Sequence, residues 1–230
     1  MYFSIQVYTI CKVLLSNNNI FKGAESNKTM TTNINTIIVE EVLNIDRTPI
    51  NYQSNKILKS QHPHLAAILI DMQEAFTSEL YEQDLNQIIS SQLEVIKYGT
   101  KTNIPLITVE YLGESQTIKP LMDEIIKVPD AKIFIKKYNN AFENDTLSKY
   151  LKNQNITELL IMGINAMSCV LQSALRARTN GFKVSTADTV IASGIGWEEI
   201  FNRSEVKETY LDNKIHFYKS HKEFIESLNS

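Results

Sequence analysis

The sequence predicts an α/β fold: a three-layer, doubly wound, Rossmann-like and mainly parallel sheet with helices on both faces. Two observations predict it. Apolar runs such as Leu65-Ala66-Ala67-Ile68-Leu69-Ile70 and Leu159-Leu160-Ile161-Met162-Gly163-Ile164 carry no polar residue at alternate positions, the mark of strands buried on both faces. Amphipathic stretches of helical period lie between such runs, so strand, helix and strand alternate across residues 64–228. Neither an internal repeat nor a second globular unit interrupts the alternation.

The elements follow in order. Leu65 to Ile70 is the first strand. Leu80 to Thr100 reads as a long helix, because Leu85, Ile88, Ile89, Leu93 and Ile96 recur at three- and four-residue spacing. Ile104 to Val109 and Ile133-Phe134-Ile135 are the second and third strands. Asn144 or Asp145 can cap a helix from Thr146 to Gln154, ahead of the strand at 159–163. The helix from Val170 stops at Asn180-Gly181, where Gly181 is expected to turn left-handed. Phe182 to Thr186 is another strand, followed by a helix near Trp197 to Asn202 and a strand over Lys214 to Phe217. Ser220-His221-Lys222-Glu223 has the spacing of a capping box opening a terminal helix.

The bulk properties narrow the class. A chain of 230 residues with 43% hydrophobic and 21% charged residues suits one soluble core plus a tail. A net charge of −3, with no basic run, points away from a nucleic-acid surface. Cys11 and Cys169 stand in unrelated contexts and build neither a zinc spacing nor a disulfide framework, which fits a reducing, cytoplasmic setting. Met1 to Ser16 is apolar but broken by Gln6, Thr9 and Lys12, with no basic leader; it makes a poor signal peptide and is too short to span a bilayer. Residues 16–35, rich in Asn, Ser and Thr, read as flexible linker, and Met30 is a candidate translation start. Residues 1–60 are therefore expected to be an N-terminal extension and 61–230 the folded α/β domain.

In open parallel sheets ligands bind beyond the carboxyl ends of the strands, at a switch in strand order. Three reactive side chains sit at such ends: Asp71 after the first strand, Lys136 after the third, and Cys169 after the fourth, where the next helix begins. A helix N-terminus favours thiolate over thiol, so position alone predicts a nucleophilic sulfur at Cys169. A nearby carboxylate can take the thiol proton and later pass it to a leaving amine; a lysine ammonium favours the charged forms of both. Backbone N–H groups at the helix start can hold a developing oxyanion. Taken singly, each residue also has an ordinary structural reading: turn carboxylate, solvated end charge, buried small thiol.

The motifs Ile70-Asp71-Met72-Gln73-Glu74-Ala75-Phe76, Lys136 ahead of Ala141-Phe142, and Gly163-Ile164 ahead of Cys169-Val170 resemble the isochorismatase-like cysteine hydrolases, over about residues 63–218. Ala187-Asp188-Thr189-Val190-Ile191-Ala192-Ser193 extends the likeness. The resemblance implies a triad of Asp71, Lys136 and Cys169, a cis peptide at Ile164–Asn165, and the N–H groups of Asn165 and Cys169 as oxyanion donors. It implies cleavage of a C–N bond in a small amide-like substrate through a thioester, a homo-oligomer, and pocket walls at Phe76 and Met167. Nicotinamidases of this family hold a metal through an Asp-x-His-x-x-His motif after the second strand. Here that stretch is Thr108-Val109-Glu110-Tyr111-Leu112-Gly113, without His, so neither metal nor other cofactor is expected. His62 and His64 precede the first strand, at the far end of the sheet. Departures at Asn140, Ala166 and Met167 touch the pocket, and they keep open a catalytically silent, oligomeric binding protein. Lys137 rivals Lys136, and only one of the two can face the site; the spacing to Ala141-Phe142 favours Lys136. Trp197, after Gly194-Ile195-Gly196, is a candidate cover for the site.

Overall fold

In the computed structural model the described residues are 50–51, 59–195 and 202–230. The elements in chain order are β1 (Ile50–Asn51), β2 (Leu65–Ile70), α1 (Glu74–Thr77), α2 (Glu82–Thr102), β3 (Leu106–Tyr111), α3 (Lys119–Ile125), β4 (Lys132–Lys136), α4 (Asp145–Asn153) and β5 (Glu158–Ile164). A π-helical turn (Ala166–Val170) then leads into α5 (Leu171–Thr179), β6 (Lys183–Ala187), a 3-10 turn (Asp188–Val190), β7 (Ile191–Ala192), α6 (Arg203–Asp212), β8 (His216–Tyr218) and α7 (His221–Leu228). The sheet order is β1-β4-β3-β2-β5-β6-β8, with β7 paired to β5. Every pairing is parallel except that of β1 with β4. Ile50 and Asn51, inside the stretch expected as an extension, thus add an antiparallel edge strand.

Apart from β1 and β7 this is the doubly wound order, so the chain reverses its winding between β2 and β5. Right-handed crossovers then put α2 and α3 on one face and α4, α5 and α6 on the other. The terminal α7 returns to pack on α2. Burial agrees with that layering: all six residues of β2 are buried, as are six of the seven in β5. Polar alternation is absent because neither face of these strands meets water.

The local signals act as expected at several ends. Asn144 caps α4 through a 2.9 Å bond from the Thr146 N–H, and Gly181 adopts φ +93° after α5. At α7 the Ser220 hydroxyl accepts the Glu223 N–H, while the Glu223 carboxylate reaches back to the Lys219 N–H instead of that of Ser220. Three helices went unread in the sequence: the four-residue α1, α3 and α6. α3 holds a proline in its first turn and buries only Leu121 and Ile125; α6 is closed by a capping box between Asn202 and Glu205 and buries only Val206 and Tyr210. Asn202, expected to end a helix, begins one: its backbone is extended (φ −78°, ψ 165°) and its side chain takes the orphan N–H groups of Ser204 and Glu205. The expectations for residues 1–49, including Cys11 and Met30, and for Trp197 lie outside the described residues. No helix among the described residues is long and apolar enough to cross a membrane.

Candidate active site

Gly163 makes the site possible. It pairs with Ile70 in the β2–β5 ladder at φ +133°, and a Cβ there would lie 2.0 Å from the Ile70 carbonyl oxygen. Only glycine lets the two backbones approach so closely at the switch point. Directly beyond it the chains part. β2 releases Asp71 at φ +53°, in the left-handed region, and β5 runs through the cis Ile164–Asn165 peptide into the π turn that carries Cys169. The Val170 N–H bonds to the Asn165 carbonyl at 3.1 Å, the wide i to i+5 closure that defines this turn. The Asn165 side chain accepts the Gly194 N–H at 2.7 Å, and the buried Tyr210 hydroxyl donates to the Ala166 carbonyl at 2.6 Å. The start of the turn is thereby tied to two neighbouring segments.

Lys136 ends β4, two strands from Asp71, and its side chain crosses the end of β3 to reach it. Its Nζ lies 2.7 Å from Asp71 Oδ2, 3.6 Å from Cys169 Sγ and 3.1 Å from the Tyr138 carbonyl oxygen. Asp71 and Lys136 are each 1% exposed, and Cys169 is 8% exposed. The three side chains expected at strand ends therefore converge. Lys137 does not join them: its N–H and that of Tyr138 are held by the Glu143 carboxylate at 2.8–3.1 Å, which fixes the loop after β4.

Electrostatics revise one expectation. The helix start was expected to lower the proton affinity of Cys169; instead burial pushes its thiol up to about 11, the Asp71 charge adds to the rise, and Lys136 opposes it. Burial likewise raises the Asp71 carboxyl above its usual range, against the pull of Lys136. One ammonium thus faces two acidic groups that compete for it. The Asp71 carboxylate meets the Lys136 ammonium at 2.7 Å and also interacts with the Cys169 side chain. It is thereby placed to exchange a proton with the thiol.

Around this trio stand residues of β3 and the loop behind it. The Tyr111 ring centroid lies 4.3 Å from Lys136 Nζ, and the ring meets Phe76 edge-on at 6.0 Å. Phe76 and Met167, the expected pocket walls, are both half-buried against the core. The fully buried Gln73 amide clamps this wall: it accepts the Tyr111 N–H at 2.7 Å and donates to the carbonyls of Tyr111 and Ser115. Glu110 is spent on the N–H and hydroxyl of Thr117, at 2.8 and 2.9 Å. Among the described residues no group of three His, Cys, Asp or Glu side chains is gathered to hold a metal. His64 lies at the opposite end of the sheet, where its carbonyl accepts the N–H groups of Thr157 and Glu158 at the start of β5. Tyr111 and the Tyr138 carbonyl are the site groups that sequence reasoning missed; the register Tyr111 to Lys136 is what brings that ring under the ammonium.

Comparison with known proteins bears directly on this arrangement. The isochorismatase domain profile matches residues 66–193, more than half of the chain and the whole span from β2 to the segment after β7. The chain belongs to the isochorismatase family. Isochorismatase family protein 1A of Dictyostelium discoideum is 27% identical over 135 residues, which cover 57% of this chain and 65% of that relative. The chain thus spans less than two thirds of that relative's length. Among solved structures, the MAR1 ribonuclease of Caenorhabditis elegans matches with a TM-score of 0.62 at 20% identity, covering 72% of this chain and 81% of that one. N-carbamoylsarcosine amidase from Thermoplasma acidophilum matches with a TM-score of 0.55 at 16% identity, covering 67% and 95% respectively. At these identities the structural likenesses establish the shared isochorismatase-like α/β fold.

Proposed function

We propose that this isochorismatase-family protein is a cysteine hydrolase that cleaves the C–N bond of a small amide-type molecule. The observation that carries this reading is the contact of Lys136 with both Asp71 and Cys169, at 2.7 and 3.6 Å, beyond the strand ends at the switch point. The amidase among the fold's relatives supports the reaction class. As Sγ attacks the carbonyl carbon, Asp71 takes the thiol proton, so no standing thiolate is required and the high thiol affinity is no obstacle. The C=O electrons move onto oxygen, which the N–H groups of Asn165 and Cys169 stabilise. Collapse breaks the C–N bond, and the amine leaves with the proton from Asp71. Water, deprotonated by Asp71, then attacks the thioester; the C–S bond breaks, the acid departs, and the proton returns to sulfur. Lys136 stays cationic throughout.

The test is a panel of small amides and ureas, scored by released amine and by mass spectrometry of the intact protein for an acyl adduct on Cys169. Cys169→Ala is expected to keep the fold and abolish turnover; full turnover in that variant would sink the mechanism. The raised thiol favours one second reading, a silent binding protein of the same fold, which predicts neither turnover nor adduct with any member of the panel.

A further inference from the structure

The Lys136 ammonium has no exit to water: the side chain is 1% exposed. Such a cation needs a partner at all times. Two of its neighbours, Asp71 and Cys169, are the acidic groups of the reaction proposed above, on which this inference rests. When Asp71 holds the proton and Cys169 is acylated, both lose their negative charge. The partners that then remain do not titrate: the Tyr138 carbonyl at 3.1 Å and the face of the Tyr111 ring at 4.3 Å. A cation above an aromatic face within about 6 Å is attracted by the ring quadrupole, most strongly where water is excluded.

We propose that Tyr111 is a positioning residue that holds the Lys136 ammonium through the face of its ring, keeping the cation aimed at the sulfur when Asp71 is protonated. The surroundings of Tyr111 fit that duty. Its backbone is fixed on both sides by one buried amide, through the Gln73 bonds to its N–H and carbonyl. Phe76 bears edge-on against the ring and restrains its tilt. The strand register sets Tyr111 beside Lys136 itself. The phenol stays neutral across the working range, since burial and then the charges of Cys169 and Asp71 raise it.

The experiment needs no substrate, so a failed hydrolase reading and a failed inference remain distinguishable. Alkylation of Cys169 by iodoacetamide is followed on the full chain by mass spectrometry from about pH 6 to 9, a range that spans the usual thiol transition at about 8.5. Tyr111→Phe, which keeps the ring face, is expected to react within about twofold of the wild type. Tyr111→Leu is expected to be about tenfold slower at each pH, as a displaced cation stabilises the sulfur anion less. Replacing Tyr111 by cyclohexylalanine keeps the ring volume without π electrons, so it separates the quadrupole from packing should the leucine variant fold poorly; it is expected to follow leucine. The sign is diagnostic. Removing an electron-rich ring beside a sulfur anion would by itself speed alkylation, so slowing marks an action through Lys136. Equal or faster alkylation in the leucine and cyclohexylalanine variants would overturn the inference. So would a phenylalanine variant as slow as leucine, which would assign the role to the hydroxyl.

Discussion

Lys136→Met isolates the charge of the ammonium while retaining most of its stem. The wild-type pair is buried on both sides, each side chain 1% exposed, so solvent screening gives no discount. Removing one partner of such a pair costs about 3–5 kcal/mol, chiefly because the other charge is left uncompensated. Here that charge belongs to Asp71, whose carboxyl is already raised by burial and is lowered by Lys136. Without the ammonium it rises further. A carboxyl raised on folding contributes stability that is present below its unfolded value and lost as pH climbs through its folded value. The variant loses more over that climb than the wild type, so the stability gap widens with pH, by at most about 1.4 kcal/mol per unit. Urea unfolding followed by circular dichroism at about pH 5 and about pH 8 measures both ends. The full cost is expected at the higher pH and a smaller one at the lower, where Asp71 of the variant is neutral. A gap equal at both values, or larger in acid, would refute the claim that Lys136 governs the Asp71 charge.

Two substitutions away from the charged trio test the frame that carries it. Gly163→Ala would place a Cβ 2.0 Å from the Ile70 carbonyl oxygen on a backbone at φ +133°, forcing β2 and β5 apart at the switch point; a loss of roughly 3 kcal/mol or more is expected, and a soluble variant with an unchanged melting temperature would contradict it. Asn202→Ala removes the acceptor for the Ser204 and Glu205 N–H groups at the exposed start of α6; it should cost about 1 kcal/mol, seen as a fall of roughly 2–4 °C in thermal unfolding, and no change would show that α6 is held by packing alone.

The sheet was legible because its strands are buried on both faces, and a continuous apolar run such as Leu65 to Ile70 can satisfy little else. α3 and α6 were not, since each buries two residues at four-residue spacing and offers no sustained apolar period. Their end signals, Pro120 in a first turn and the Asn202–Glu205 box, were in the sequence and went unused. The three chemical groups were legible from strand ends alone. The choice of Lys136 over Lys137 rested on motif spacing, because alternation says that one of two neighbours faces the site without saying which. The proton affinity of Cys169 was misjudged for a physical reason. Position at a helix start is local, whereas the desolvation and the Asp71 charge that outweigh it arise from β2 and the packed layers, which a local reading does not sum. Tyr111 was missed for the same reason: a strand residue shows its neighbours only once the register is known.

The sheet order also explains why the cation is a lysine. Asp71 and Cys169 leave adjacent strands, but β4 lies two ladders from β2, about 10 Å away at ordinary strand spacing. A short side chain on β4 cannot bridge β3, so only a long one can charge the site from there. Arginine has the reach, but its planar fork commits its donors to one plane and suits a single carboxylate. The partners here do not share a plane: a carboxylate oxygen, a carbonyl, a sulfur and a ring face surround one nitrogen at 2.7–4.3 Å. An ammonium with three rotatable donors can meet such a set. The residue type at the end of β4 thus follows from the strand order that creates the crevice and from partners that surround one nitrogen on several sides.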